Sequence, residues 1–249
     1  MLHSPSTEQT RHLWRGRFLY LLFAQCLLLV SFPYLDQPGW GLVLFRLVAL
    51  STLVSTIYAI RRNRAHFIIA AILGGSAAIL NAFYVFHPSR QLAIPTLIFM
   101  LVFLAYTAAS LLRVVVGADR VTPDTICGAL SVYMLMALTW AVAYLLLVNV
   151  HPGAIAMDAA RYPNHVMDWE DCLFFSFVTL TTLGFGDIVP VSAQARSLTI
   201  LEAVCGILYV AVLVARLVGL HAAAKYEARP HRSVGEDSAS PTLTEKPAS

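Results

Sequence analysis

The sequence predicts an all-α integral membrane protein of six transmembrane helices, with one further apolar segment that enters the bilayer and turns back. Three observations predict it. Of the 249 residues, 58% are hydrophobic and 12% charged, and the mean hydropathy is +0.70, whereas soluble domains are about half apolar and about a quarter charged. Several apolar stretches reach the roughly 20 residues that a helix needs to cross about 30 Å of hydrocarbon, and lipid forces backbone groups to pair within their own segment. Finally, the run Phe177 to Pro190, FVTLTTLGFGDIVP, crowds small residues and an acid between two long apolar segments, where a spanning helix would tolerate none of them.

The spans follow in order as Trp14 to Phe32, Gly41 to Ile60, His66 to Phe86, Leu92 to Leu112, Ile126 to Val150 and Ala195 to Leu220. Short polar connectors separate the first four. YLDQPGW carries the turn formers Pro38 and Gly39, RRNR at Arg61 to Arg64 is a charged stop, and HPSRQ at His87 to Gln91 breaks the third span. VTPD at Val121 to Asp124 marks a domain boundary. The expected organisation is a terminus at 1–13, a four-helix region at 14–113, a second membrane unit at 121–222 and a tail at 223–249. From Lys225 to Ser249 the tail is rich in Ser, Pro, Glu and Lys and reads as disordered, with no ligand-binding domain after the sixth span. The first span reads as retained rather than as a secretory signal, because no A-x-A cleavage site follows its apolar run.

Basic residues collect on the cytoplasmic side of short loops. With the N-terminus inside, Arg11, Arg15, Arg17, Arg61, Arg62, Arg64, Arg113, Arg120 and the basic residues from Arg216 onward are cytoplasmic, while Arg90, Arg161 and Arg196 fall outside. Both termini are therefore expected in the cytoplasm, in the cell (plasma or inner) membrane, with the link between the fifth and sixth spans at the outer face. A net charge of +3 is too small to suggest nucleic-acid binding. The cysteines at 26, 127, 172 and 205 have no C-x-x-C spacing and read as buried thiols.

Asp168 to Thr182, DWEDCLFFSFVTLTT, is apolar but too short to cross a bilayer, so it is expected to be re-entrant. Asp168 can cap its first turn with Asp171 three residues on, a D-x-x-D variant of the capping box, and Glu170 also lies at the positive end of the dipole. Its C-terminal carbonyls, near Thr181, then point partial negative charge at the membrane centre. Beyond it, Thr182-Leu183-Gly184-Phe185-Gly186-Asp187 alternates glycine with larger residues. Glycine reaches backbone angles closed to other residues, so successive carbonyls can turn to one side. Non-helical backbone at membrane depth persists only where it is packed in protein or lines a wet cavity, so these oxygens are expected to face a pore. One chain supplies one oxygen per layer, too few to replace an ion's hydration shell, which calls for a symmetric assembly.

Thr179 to Asp187, TLTTLGFGD, resembles the potassium-channel signature, whose filter is built from four loops of backbone carbonyls. The resemblance extends from Ile126 to about Leu220, a helix, pore loop, helix module, and implies a homotetramer in the lipid bilayer. It implies that Thr182, Leu183, Gly184, Phe185 and Gly186 line the filter, with K+ held at Thr182, Leu183, Gly184 and Phe185. Asp187 would brace the filter from behind, and Thr179, Thr181, Phe174 and Phe175 would support it. No cofactor and no enzymatic activity follow, potassium being the permeant ligand. Leu201 to Gly219 is similar to the inner helix of prokaryotic members, with Gly206 where the family has a gating hinge; close helix packing through a small residue is the other reading of Gly206. Phe185 replaces the commoner tyrosine, Phe174 and Phe175 stand where relatives carry tryptophans, and Leu183 replaces Val or Ile. A filter without those O–H and N–H groups is expected to be held mainly by packing and to inactivate readily.

Six spans also match voltage-gated channels. Moving one charge across 100 mV is worth about 2.3 kcal/mol, so a sensor needs several basic residues in series. Leu92 to Leu112 has none, and the second and third spans have no acids to pair with them, so strong voltage gating is not expected. Arg46 in the second span reads as a charge that snorkels to the interface, a functional intramembrane charge being the other reading. Glu202 in the sixth span is open between a functional and a structural pairing. His151 and His165 lie in the outer turret, where they read as ordinary solvated loop histidines, with an influence of their protonation on a pore as the other reading. Asp158, Asp168, Glu170, Asp171 and Asp187, repeated by symmetry, would concentrate cations at the mouth. A weakly selective cation channel, or a multispan transporter with a chance motif, is the alternative; the transporter requires a polar cluster at membrane depth that the sequence outside the pore loop does not offer.

Overall fold

The computed structural model describes residues 17–31, 64–87, 89–118, 122–160 and 165–227. In chain order these form α1 (Arg17–Ser31), α2 (Arg64–Phe86), α3 (Arg90–Val116), α4 (Pro123–Val150), β1 (Ile155–Met157), α5 (Trp169–Leu180), β2 (Ile188–Pro190) and α6 (Ala193–Glu227). The expected second span, with Arg46, lies outside the described residues. Among the described residues, three helical stretches are long and apolar enough to cross a membrane: Gln91–Val116, Pro123–Val150 and Ala193–Gly219. The apolar parts of α1 and α2, Phe18–Val30 and Ile68–Tyr84, are shorter.

Local chemistry sets the boundaries. Thr122 caps α4, accepting from the Thr125 N–H at 3.2 Å, and Pro123 takes the first helical position, where a missing N–H costs nothing. α3 stops at Gly117, whose N–H returns to the Arg113 carbonyl at 2.9 Å, with Arg113 itself in the favoured basic last turn. α6 runs to Glu227, past the expected end at Leu220 and into the stretch expected to be disordered. The run Ala222-Ala223-Ala224-Lys225 has high helix propensity, which the average composition of the tail conceals.

α4 is the central post. α1, α3, α5 and α6 pack on it, and α2 packs on α3. One apolar cluster, including Leu21, Leu28, Phe103, Leu111, Val132, Leu135 and Leu138, joins α1, α3 and α4. A second, with Tyr144, Cys172, Phe175, Ile188 and Ala195, joins α4, α5, β2 and α6 at the opposite end. The four cysteines are free thiols.

Two polar ties fix which helix ends lie together. The Phe18 N–H donates to Asp124 Oδ1 at 3.2 Å, joining the starts of α1 and α4. Arg216 near the end of α6 donates Nη1 to the Val115 carbonyl at 2.6 Å and Nη2 to the Ala118 carbonyl at 2.7 Å, capping the end of α3. Arg17, Arg113 and Arg216 therefore share one end of the molecule, and α5 with its following loop occupies the other.

Candidate functional site

Asp168 is the N-cap of α5. Its side chain accepts from the Glu170 and Asp171 N–H groups at 2.8 and 3.1 Å, and Asp171 Oδ2 accepts from the Asp168 N–H at 3.0 Å, which completes the capping box with aspartate in place of glutamate. His165 joins this cap from the turret, its Nε2 lying 2.7 Å from Asp171 Oδ2. The ligand atoms of His165, Asp168 and Asp171 lie within 4.8 Å of one another. Both carboxylates are already committed to the helix N-terminus, whose positive dipole end opposes a cation, so the group acts as a cap rather than as a metal centre.

The far end of α5 unwinds into the loop 181–187. Thr181 returns its N–H to the Phe177 carbonyl at 3.0 Å and its Oγ1 to the same carbonyl at 2.6 Å. The Thr182 N–H donates to the Thr179 carbonyl at 2.9 Å and the Leu183 N–H to the Val178 carbonyl at 2.9 Å. The entry to the loop is thus stitched to the last turn of α5. From there the backbone takes positive φ at Thr182 (60°), Gly184 (58°) and Gly186 (82°), and at no intervening residue. Glycine adopts that conformation freely. Thr182 pays about 1–2 kcal/mol for it, so surrounding structure must impose it.

Within the single chain, residues 181–186 are all exposed, Leu183 at 62% and Phe185 at 64%. The Phe185 ring stacks on Phe174, with centroids 6.1 Å apart and planes 8° off parallel. Phe175 points the other way: it is buried and meets Tyr144 edge-on at 4.8 Å. The two phenylalanines, paired in the sequence reading, therefore sit on opposite sides of α5. Asp187 accepts the Ile188 N–H on its own Oδ1 at 3.1 Å, and its carbonyl accepts the Asp158 N–H at 2.8 Å. β1 and β2 pair antiparallel, Ile155 opposite Pro190 and Met157 opposite Ile188, and this ribbon ties the turret to the exit of the loop.

Behind α5 lies a polar network that sequence reasoning did not assemble. Glu202 on α6 is fully buried, the only Asp, Glu, Lys or Arg so placed among the described residues. Its Oε2 accepts from the Tyr144 hydroxyl of α4 at 2.6 Å, and its Oε1 lies 2.6 Å from the Ser176 hydroxyl of α5. One helical turn on, Gly206 abuts the end of α5: a Cβ there would lie 2.5 Å from the Leu180 carbonyl oxygen. The same carbonyl accepts from Tyr133 of α4 at 3.1 Å. Tyr133 and Tyr144 lie about three helical turns apart, so both face α5, a spacing readable in the sequence. Their partners were not readable, since nothing local pairs them with Ser176, Leu180 or Glu202.

Residues 132–221 match the ion-channel family. Over 103 residues the chain is 30% identical to Protein LctB of Bacillus caldotenax, covering 41% of this chain and 76% of that one. It is 31% identical over 86 residues to the inward rectifier potassium channel Kirbac3.1 of Paramagnetospirillum magnetotacticum, covering 33% of this chain and 24% of the relative. Over 58 residues it is 31% identical to the potassium channel protein kcv of Paramecium bursaria Chlorella virus 1, covering 23% of this chain and 62% of the relative. The chain thus spans about three quarters of the first relative, under two thirds of the viral channel and about a quarter of the rectifier. No solved structure matches. A family match over α4 to α6, together with these relatives, makes the chain a membrane channel rather than an enzyme, belonging to the ion-channel family within the potassium-channel superfamily.

Proposed function

We propose that this protein conducts K+ passively and selectively through a pore formed where four copies bring their 182–186 loops to one axis. The observation that carries the reading is the alternation of left-handed backbone at Thr182, Gly184 and Gly186, in an exposed loop at the C-terminal end of a short capped helix. Such alternation turns successive carbonyls to the same side, and four such loops supply the oxygens that replace a hydration shell. Thr182, Leu183, Gly184 and Phe185 are the proposed K+ sites, with Gly186 completing the filter; Thr179 and Thr181 hold its entry, Phe174 backs Phe185, and Asp187 anchors its exit.

The assembly has support in what the single chain leaves uncovered. Along α6, Ile200, Leu201, Val204, Ile207, Leu208 and Val214 are all exposed. In a membrane channel this face meets lipid, other copies or the inner cavity. Six spans with both termini cytoplasmic, in the plasma or inner membrane, fit the gathering of Arg17, Arg113 and Arg216 at one end. Weak or absent voltage gating fits α3, which carries no Lys or Arg from Leu92 to Leu112. Gly206 is the proposed bending point of α6, and its contact with Leu180 would pass a bend to the end of α5.

Purified protein in liposomes with a potassium gradient tests the reading. Potassium should flow and sodium should not, and Gly184→Ala, forced to hold φ near +58° with a side chain, should abolish flux. Equal passage of sodium would favour a weakly selective cation channel, and flux coupled stoichiometrically to another solute would favour a transporter.

A further inference from the structure

Glu202 presents a counting problem. Three short oxygen contacts run in series from it: Tyr144 Oη to Glu202 Oε2 at 2.6 Å, Glu202 Oε1 to Ser176 Oγ at 2.6 Å, and Ser176 Oγ to the Ala137 carbonyl at 2.8 Å. Each needs one proton between its two oxygens, because two acceptors facing each other at that distance repel. The tyrosine and serine hydroxyls bring two. Thr199, 3.5 Å from the tyrosine hydroxyl, spends its own proton on the Ala195 carbonyl at 2.8 Å. Only the carboxyl group can supply the third.

The surroundings agree. The side-chain partners of Glu202 are the Tyr144 and Ser176 hydroxyls, and no Lys, Arg or His among the described residues pairs with it. The other titratable groups around the network are Tyr144 and Tyr133 from α4 and Cys172 from α5, none of them cationic. An ionised carboxylate buried at this depth without a positive partner is far more costly than a neutral acid with every hydrogen bond made.

We infer that Glu202 is held as the neutral carboxylic acid and is a positioning residue for the filter: it donates its proton to Ser176 Oγ, freeing the serine to donate to Ala137, while Oε2 accepts from Tyr144. A single group thereby clamps α5 to both flanking helices. Ser176 is next to Phe177 and Val178, whose carbonyls hold the N–H groups of Thr181 and Leu183, so the clamp fixes the turn that holds the filter entry. This role rests on the filter reading above; the protonation does not.

Glutamine has the hydrogen-bond pattern of the neutral acid, an N–H donor toward Ser176 and a carbonyl acceptor toward Tyr144, so the two claims can be separated in the full-length protein in liposomes. Infrared spectra should show a protonated-carboxyl carbonyl band in the wild type that is absent from Glu202→Gln. In the potassium-to-sodium reversal potential, Glu202→Gln should retain the selectivity of the wild type, whereas Glu202→Ala, leaving the buried Tyr144 hydroxyl without its acceptor and Ser176 Oγ without its donor, should lower the permeability ratio about tenfold. A band unchanged by Glu202→Gln, or glutamine as damaging as alanine, overturns the neutral-acid assignment. Loss of thermal stability in Glu202→Ala with selectivity intact overturns the positioning role. A wild type that passes no potassium sinks the filter reading and the positioning role with it, while the infrared band still decides the protonation.

Discussion

Replacing Gly206 by alanine sets two effects of known size against each other. Alanine favours a helix over glycine by about 0.8–1.0 kcal/mol. Its Cβ would meet the Leu180 carbonyl oxygen at 2.5 Å, the carbonyl carbon at 3.3 Å and Leu180 Cδ1 at 3.0 Å. Relief requires α5 to back off by about 0.9 Å, from 2.5 to the 3.4 Å of ordinary contact, and overpacking of that kind costs about 1–3 kcal/mol. The clash therefore offsets the propensity gain and exceeds it over most of that range. Gly219 on the same helix supplies the control, since nothing lies within 4 Å of a Cβ there, and Gly219→Ala should show the propensity gain alone. Thermal unfolding in lipid nanodiscs, read with potassium flux, should rank Gly206→Ala below the wild type and Gly219→Ala at or above it. Adding Leu180→Ala to Gly206→Ala removes the side-chain contact at Cδ1 but leaves the clash with the Leu180 carbonyl, so it should not rescue. Normal melting and flux in Gly206→Ala, or rescue by Leu180→Ala, would refute the reasoning.

Asp168→Ala removes the side-chain acceptor of the Glu170 and Asp171 N–H groups and should cost about 1 kcal/mol in thermal or denaturant unfolding, with Asp168→Asn close to wild type. Arg216→Met uncaps two carbonyls at the end of α3 and should destabilise by about 1.5–3 kcal/mol; Arg216→Lys should not recover it, since one ammonium lacks the planar fork that reaches both. Phe185→Tyr should lengthen the open state in single-channel recordings by adding a hydroxyl to a ring now held by stacking on Phe174, and an unchanged lifetime would count against a filter held by packing. Charge movement across a voltage ramp should stay near zero, for want of basic residues between Leu92 and Leu112 of α3.

What the sequence made legible is what local chemistry determines. The capping box at Asp168 and Asp171 is a contact between residues three apart, and the structure reproduces it bond for bond. The alternation at residues 182–186 was visible because two of the three left-handed positions are glycine; Thr182 carried no such mark. The fourth, fifth and sixth spans were legible from unbroken hydropathy. Contacts between distant segments were not. Glu202 was noticed as an acid in a span, yet its partners lie 58 and 26 residues away on other helices. Arg216 read as a cytoplasmic charge, and only the fold places it against the end of α3, 101 residues earlier. The β1–β2 ribbon escaped because three-residue strands carry too little alternation to register.

The most direct measurement is the position of the ion itself. In the assembled particle, soaked with thallium or rubidium as a heavy stand-in for potassium, anomalous or difference density should appear as a column on an axis shared by four chains, level with residues 182–186. Density off that axis, or loops from neighbouring chains held apart from one another, would contradict the account.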